Sequence, residues 1–381
     1  GQARSSLAAV RALAAAGYRP AVTVSGRFSI AAASRHSSRS LKVPPVGTPG
    51  YAEAVQAELA ERYLTVLPAS DAALLALGAP VDHLVDKVLL AQGAARAGLQ
   101  MPPSRAFAST EALLSNAEGL DYPIVLKPSV KTTASPSYAR RVVSAAELSS
   151  AAVGGGPFVV QPYISDYLHA VAGIAWKGEL VAALHQRYLR TWPRDCGVAC
   201  AAQTVEPDEN LEGHLVRLLD GYNGIFQAQF AGNYLLDLNP RVYGSLPLAV
   251  AAGVNLPGLY CALVSGKRVA PVRARTGVFF RWIEGDLRHA WSAIRERDKK
   301  VTDILRDLRP HRRTAHSTES FTDPGPMLSR LLYALWGRAD TEGRLVLSGF
   351  SQDQKPSNSD WICRPRPMDD RSLRDQSSHH L

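Results

Sequence analysis

Two pairs of apolar runs, each closed by a two-residue turn, constrain the fold of this chain more than any other feature. Residues 170–175 and 180–186 flank Lys177-Gly178, and residues 224–230 and 234–239 flank Gly232-Asn233. Strand-like runs joined by so short a glycine turn predict β-hairpins. The surrounding sequence switches to helical spacing. Residues 87–97 stop at Gly98, residues 211–219 precede the second hairpin, and residues 257–265 follow it. The pattern predicts a mixed α/β (α+β) protein with sheets covered by helices.

The N-terminal part alternates: helix over 6–16, strand over 20–25, helix over 51–62, strand over 63–67. Such alternation predicts a small parallel sheet. The chain opens directly on a helix with no strand before it, so the first strand of this unit is expected to be missing. Between the N-terminal unit and the hairpins, strands are expected over 122–127, 141–143 and 157–164, with helices over 110–117 and from Ala145. The polar loop 128–140 between the first two of these strands reads as a mobile cover.

From about Arg268 the sequence turns basic, and helices are expected over 285–297, 301–308 and 327–336. The 381 residues, 46% hydrophobic and 20% charged, suffice for two or three packed domains. The expected division is an α/β domain over 1–85, a central domain over 86–267 with a lid about 104–165, a helical extension over 268–337 and a disordered basic tail over 338–381.

Composition narrows the function classes. No run of eighteen apolar residues is present, so no membrane span is expected. The Ala-rich start carries Arg11 at helical spacing and reads as a helix rather than a secretory leader. Four scattered cysteines make no disulfide framework, and a cytoplasmic setting is expected. The net charge of +9 falls mostly after Gly266, yet no RNA-module or zinc-finger spacing accompanies it, so nucleic acid is not the expected partner.

Chemistry-bearing residues gather at strand ends. Asp237-Leu-Asn-Pro-Arg241 closes the second hairpin, and strand alternation puts Asp237 and Asn239 on one face. Oxygen donors there suit a hard cation such as Mg²⁺, and Gln229 on the facing strand reaches the same side. Arg241 is placed to hold an anionic oxygen. Lys127 emerges from the apolar run Tyr122-Pro-Ile-Val-Leu-Lys127, a suitable place for a phosphate contact. Val159-Val-Gln-Pro-Tyr-Ile164 is placed to give backbone edge contacts to a base. Taken singly, each string also fits an ordinary polar strand end.

Together and in order, Asp86-Lys87, Tyr122-Pro-Ile-Val-Leu-Lys127-Pro128, Val159-Val-Gln-Pro-Tyr-Ile164 and Asp237-Leu-Asn-Pro-Arg241 resemble the ATP-grasp superfamily. Tyr243-Gly-Ser-Leu-Pro-Leu-Ala-Val, Ala252-Gly-Val-Asn-Leu-Pro and Asp323-Pro-Gly-Pro326 resemble its predicted carboxylate-amine ligases of carboligase type. The resemblance runs to about Pro326 and implies an ATP-grasp fold preceded by a small Rossmann-like domain.

It also implies roles. Lys87 and Lys127 contact ATP phosphates. Gln161, Tyr163 and Ile164 line the adenine pocket. Gln229, Asp237 and Asn239 bind Mg²⁺, with Mn²⁺ as the alternative ion. Arg241, with Lys127, stabilises the acyl phosphate. Arg187 and Arg190 grip a substrate carboxylate, with ion pairs inside the fold as the other reading. The implied reaction joins a small-molecule carboxylate to an amine with release of ADP and phosphate. A carboxyphosphate-forming carboxylase and a weakly active nucleotide binder are the alternatives. Dimers are common in the superfamily, so a homodimer is one expected assembly. The sequence departs from the family pattern at Gln229, where a carboxylate is usual, and at Asp237, where a glutamate is usual. Both changes weaken a metal site.

Overall fold

The computed structural model describes residues 3–132, 139–152 and 155–336. The expected tail and residues 133–138 of the expected cover loop lie outside them. Three sheets organise the described chain. The largest runs in the order Tyr234–Asn239, Gly224–Ala231, Leu168–Trp176, Glu179–Trp192, Val198–Val205, Phe279–Arg281, Thr314–His316, and Val272–Arg273 pairs with the free half of Glu179–Trp192. A four-stranded antiparallel sheet runs Arg105–Phe107, Phe158–Pro162, Ile124–Pro128, Arg140–Val142. The third is a parallel pair, Ala21–Val24 with Arg39–Lys42.

Both expected hairpins are present. Lys177 and Gly178 have φ of 52° and 82°, the paired positive values that a right-twisted hairpin needs at a two-residue turn. At the second turn Gly232 sits against Asp166, whose carboxylate oxygen lies 2.1 Å from where a Cβ would stand. With φ of 50° at Gly232, a larger residue there is strained and requires the Asp166 side chain to turn aside.

The large sheet buries both faces. One packs against helices Arg4–Ala15, Leu246–Ala251 and Leu256–Val264 through Ala172, Leu184, Ala202, Ile225, Tyr243 and Leu248. The other packs against helices Lys87–Ala97 and Glu209–Leu218 through Leu90, Val171, Leu215, Phe226 and Phe230. The smaller sheet has a separate core with Leu113 and Leu148 of helices Thr110–Leu114 and Ala145–Ala151. Asp323 joins the two ends of the described chain: it takes Arg11 Nε at 2.8 Å, Ser34 Oγ at 2.7 Å and the Arg35 amide at 2.9 Å.

The structure corrects several expectations. Residues 63–67 form no strand; Leu67 instead packs into the core of the large sheet. The N-terminal parallel sheet therefore has two strands among the described residues, one of them the unexpected Arg39–Lys42. The strand expected to end at Gln186 continues to Trp192, and Val198–Val205 follows it as a further strand. Val198–Val205 (VACAAQTV) is rich in alanine, a poor strand former; pairing on both sides overrides that preference. Residues 268–337, expected as a helical extension, hold their helices at Ile283–Arg295, Val301–Asp307 and Gly325–Trp336. They also supply three short strands to the large sheet.

Arg190 belongs to this framework. Its Nε and Nη2 donate to the two oxygens of Asp286 at 2.6 and 3.0 Å, and Arg281 Nε lies 3.0 Å from Oδ2 of the same carboxylate. Asp286 is 1% exposed, and it fastens helix Ile283–Arg295 to two strands. Removing one partner of such a buried set leaves charges without compensation. Asp286→Ala is expected to lower unfolding free energy by about 3–5 kcal/mol, read as a reduced midpoint in urea denaturation. A midpoint within error of the parent would refute this role.

Candidate active site

The site grows from an irregularity at the edge of the large sheet. Pairing passes from Gln229↔Asp237 to Phe230↔Leu235, so Leu236 has no opposite residue. A bulge of this kind frees a carbonyl and re-aims the neighbouring side chains. Lys127, from the end of Ile124–Pro128 in the smaller sheet, donates to that Leu236 carbonyl at 2.8 Å. The bulge thus receives the smaller sheet's lysine beside Asp237.

Asp237 is the focus of the cluster. Lys87 Nζ lies 2.7 Å from its Oδ1, and Lys131 Nζ 2.5 Å from its Oδ2. Lys87 begins helix Lys87–Ala97, which Asp86 caps by accepting from the Val88 amide at 2.7 Å. The Lys87 side chain is fully buried and also donates to the Val85 carbonyl at 2.9 Å. Burial pushes the Asp237 carboxyl up, but Lys131, Lys87 and Lys127 outweigh it and hold it well below the carboxylate range.

A second carboxylate completes the set. Asp71, at the start of a short helix capped by Ser70, takes Arg241 Nε at 2.5 Å and lies 4.0 Å from Lys131. Burial pushes Asp71 up as well; Arg241, Lys131 and Lys87 prevail and keep it below its usual range. Arg241 also donates to Asn239 Oδ1 at 2.7 Å and to the Val242 carbonyl at 3.1 Å. Neither Asp71 nor Lys131 was expected from sequence. Asp71 lies 170 positions from the arginine it meets. Lys131 sits in the polar loop, which carries no periodic signal.

Lys127 stands apart from the other cations. It is buried, and the only polar contact described for its ammonium is the Leu236 carbonyl. Desolvation, opposed by Asp237 and reinforced by Lys87 and Lys131, lowers its pKa to about 7. Four cationic side chains therefore converge on two carboxylates, and one of the four pairs with neither at close range. The arrangement is built to accept an anion.

The structure brings together Lys87, Lys127, Asp237, Asn239 and Arg241. Gln229 lies directly opposite Asp237, and its Nε2 donates to the Tyr188 hydroxyl at 3.0 Å. That leaves Oε1 as the amide atom available to a cation. Asp237, Asn239 and Gln229 carry oxygens of the type that suits Mg²⁺, with a single carboxylate among them; the two Asp237 oxygens face Lys87 and Lys131, and Asn239 Oδ1 accepts from Arg241. In keeping with that low charge, no group of three His, Cys, Asp or Glu side chains arranged for a metal occurs among the described residues.

Gln161 is buried and donates to Ser104 Oγ at 2.8 Å. Tyr163 and Ile164 lie in the connection from the smaller sheet to Leu168–Trp176, and Arg141 stacks over the Tyr163 ring at 4.6 Å. The two arginines proposed for substrate are not brought to the cluster. Arg187 shares its row with His169 and Phe230, on the opposite face of the sheet from Asp237. Arg190 is held by Asp286.

Comparison with known proteins fits this geometry. Residues 156–286 match the profile of a family described as ATP-grasp in the biosynthetic pathway with Ter operon. None of the curated proteins compared matches the sequence. Among solved structures, the chain is similar to an N5-carboxyaminoimidazole ribonucleotide synthetase in complex with ADP. The TM-score is 0.54 at 13% identity, over 78% of this chain and 83% of that one. The N5-carboxyaminoimidazole synthetase of Staphylococcus aureus gives 0.51 at 11%, over 72% and 78%. The biotin carboxylase domain of Hydrogenobacter thermophilus 2-oxoglutarate carboxylase, in complex with MgADP, ADP and bicarbonate, gives 0.51 at 14%, over 73% and 72%. Identities this low carry the fold alone. The profile match covers residues 156–286 of the 381, and the solved structures add a likeness of fold over most of the chain.

Proposed function

We propose that the protein is an ATP-dependent carboxylate-amine ligase working through an acyl phosphate. The observation that carries this reading is the excess of cations around Asp237 and Asp71, with Lys127 enclosed and lacking a close carboxylate partner. A triphosphate is the anion that such a cluster suits on this fold. Residues 86–267 hold most of the machinery, and Asp71 reaches it from the N-terminal 85 residues.

Lys87, Lys127 and Lys131 take the phosphate oxygens, and Tyr163 and Ile164 border the base. Asp237, Asn239 and Gln229 would hold Mg²⁺, which would supply charge neutralisation at the phosphates. A carboxylate oxygen attacks the γ-phosphorus in line; the bond to the bridging oxygen breaks, and ADP leaves with that electron pair. Arg241 stabilises the charge on the resulting acyl phosphate. The amine nitrogen then attacks the acyl carbon, the carbon–oxygen bond to phosphate breaks, phosphate departs, and the nitrogen loses a proton to it.

A second reading rests on Gln229. An amide in place of a carboxylate removes a negative charge from the cation site, which suits a protein that binds nucleotide with little turnover.

ADP release from Mg·ATP, measured with a pool of amino acids and small carboxylates, separates the two. Substrate-stimulated ADP in the parent, reduced at least 100-fold in Lys127→Ala, supports the ligase. ATP binding without ADP from any pool supports the second reading, and absence of ATP binding refutes both.

Lys127 gives an independent test. Its ammonium is favoured by bound phosphate but half lost near pH 7 in the free protein. Binding of Mg·ADP at pH 8 should therefore take up close to one proton, falling toward zero below pH 6. Calorimetry in buffers of different ionisation enthalpy reads this uptake, and Lys127→Met should abolish it. Heat independent of buffer in the parent protein would contradict the assignment.

A further inference from the structure

Beyond the phosphate cluster, the same sheet face holds polar groups that the reaction as described so far does not use. Asp237, Gln229, Ala170 and Gln186 are successive register partners across four strands. Gln186 therefore shares a face with the cation-binding oxygens, two strands or about 10 Å from Gln229. Ala170 fills the row between them with one methyl group.

Gln186 is 0% exposed, and neither its Nε2 nor its Oε1 has a hydrogen-bond partner among the described residues. Two residues along the strand, on the same face, Tyr188 accepts from Gln229. Tyr243, from the segment after the Asp237-to-Arg241 motif, is packed in the core on this same face, and its buried hydroxyl also has no partner among the described residues. Buried polar atoms without partners cost about 1–3 kcal/mol each. Two such side chains on the face that carries the cation site mark a place where a ligand supplies the missing bonds.

The chemistry of the patch restricts that ligand. Its groups are an amide and two phenols, all neutral. The nearby charges are turned away or already paired: Arg187 and the His185–Glu212 pair lie on the opposite face, and Arg190 is held by Asp286. A buried neutral patch penalises an ammonium and a carboxylate alike. It accepts an uncharged amine, whose N–H bonds are taken by Gln186 Oε1 and a phenol oxygen while the nitrogen lone pair stays free.

Resting on the acyl-phosphate reading above, we infer that Gln186, Tyr188 and Tyr243 form the subsite for the nucleophile and bind it as an uncharged amine.

Hydroxylamine, a small amine largely uncharged at neutral pH, is the probe. ATP-dependent acyl hydroxamate formation is followed with a panel of amino acids and small carboxylates while hydroxylamine is titrated. The parent protein should saturate with hydroxylamine. Gln186→Leu, which replaces the unpartnered amide by an apolar group of similar size, should raise the hydroxylamine KM at least tenfold and leave the ATP KM and Tm unchanged or the Tm higher. Tyr243→Phe removes only a hydroxyl and should shift the same constant in the same direction. An unaltered hydroxylamine KM in both variants, with hydroxamate synthesis intact, would overturn the subsite. A parallel loss of Tm and ATP binding in both variants would also overturn it, because the groups would then be structural. If the parent makes no hydroxamate from any carboxylate, the acyl-phosphate reading fails, and the subsite fails with it.

Discussion

Everything at the site depends on the carboxylate of Asp237 being held ionised at the edge of the large sheet. Lys87 reaches it from the start of a helix, Lys131 from the loop after the smaller sheet, and Lys127 settles on the carbonyl beside it. Segments of two cores, that of the large sheet and that of the smaller one, thereby meet at one side chain. Burial alone would favour the protonated acid; the lysines reverse that preference. The interaction also runs in the other direction, since Asp237 keeps two buried ammonium groups from being an unbalanced cost. A cluster of this kind holds its shape without ligand and still carries a surplus of positive charge for one.

The bulge at Leu236 makes this meeting possible. A regular ladder would bond the Leu236 carbonyl to the neighbouring strand, and Lys127 would have no acceptor there. The extra residue instead exposes that carbonyl and leaves Asp237 opposite Gln229. One irregular position therefore fixes the smaller sheet against the larger one and fixes the spacing of the oxygen donors. The other side of the sheet is closed opposite the bulge by apolar packing around Phe226 and Phe230.

The hairpins and the strand-end motif were legible in the sequence because their signals are local. A two-residue turn with positive φ leaves a glycine, and a two-residue alternation puts Asp237 and Asn239 together. The strand Val198–Val205 was hidden because alanine carries no strand signal and its pairing is supplied by distant segments. Asp71 was hidden for a similar reason: its partner Arg241 is remote in sequence, and a serine-capped helix start looks ordinary. The arginines, assigned from the resemblance, show what alternation and register correct. Arg187 is one residue from Gln186 and so faces away from the site. Arg190 follows a shift in register after Tyr188, past which counting residues no longer gives the face.

The neutral residues on the site face are best understood with the charged ones. Gln229, opposite Asp237, adds an uncharged amide to this face where a second carboxylate would add charge. Its amide is also a donor, which a carboxylate is not, and it uses that donor on Tyr188. Gln229 thus orients the first phenol of the uncharged row leading to Gln186. Charge falls off along the face from Asp237 through Gln229 to Gln186. In the reaction proposed above, phosphates would occupy the charged end of that gradient and an uncharged amine the neutral end.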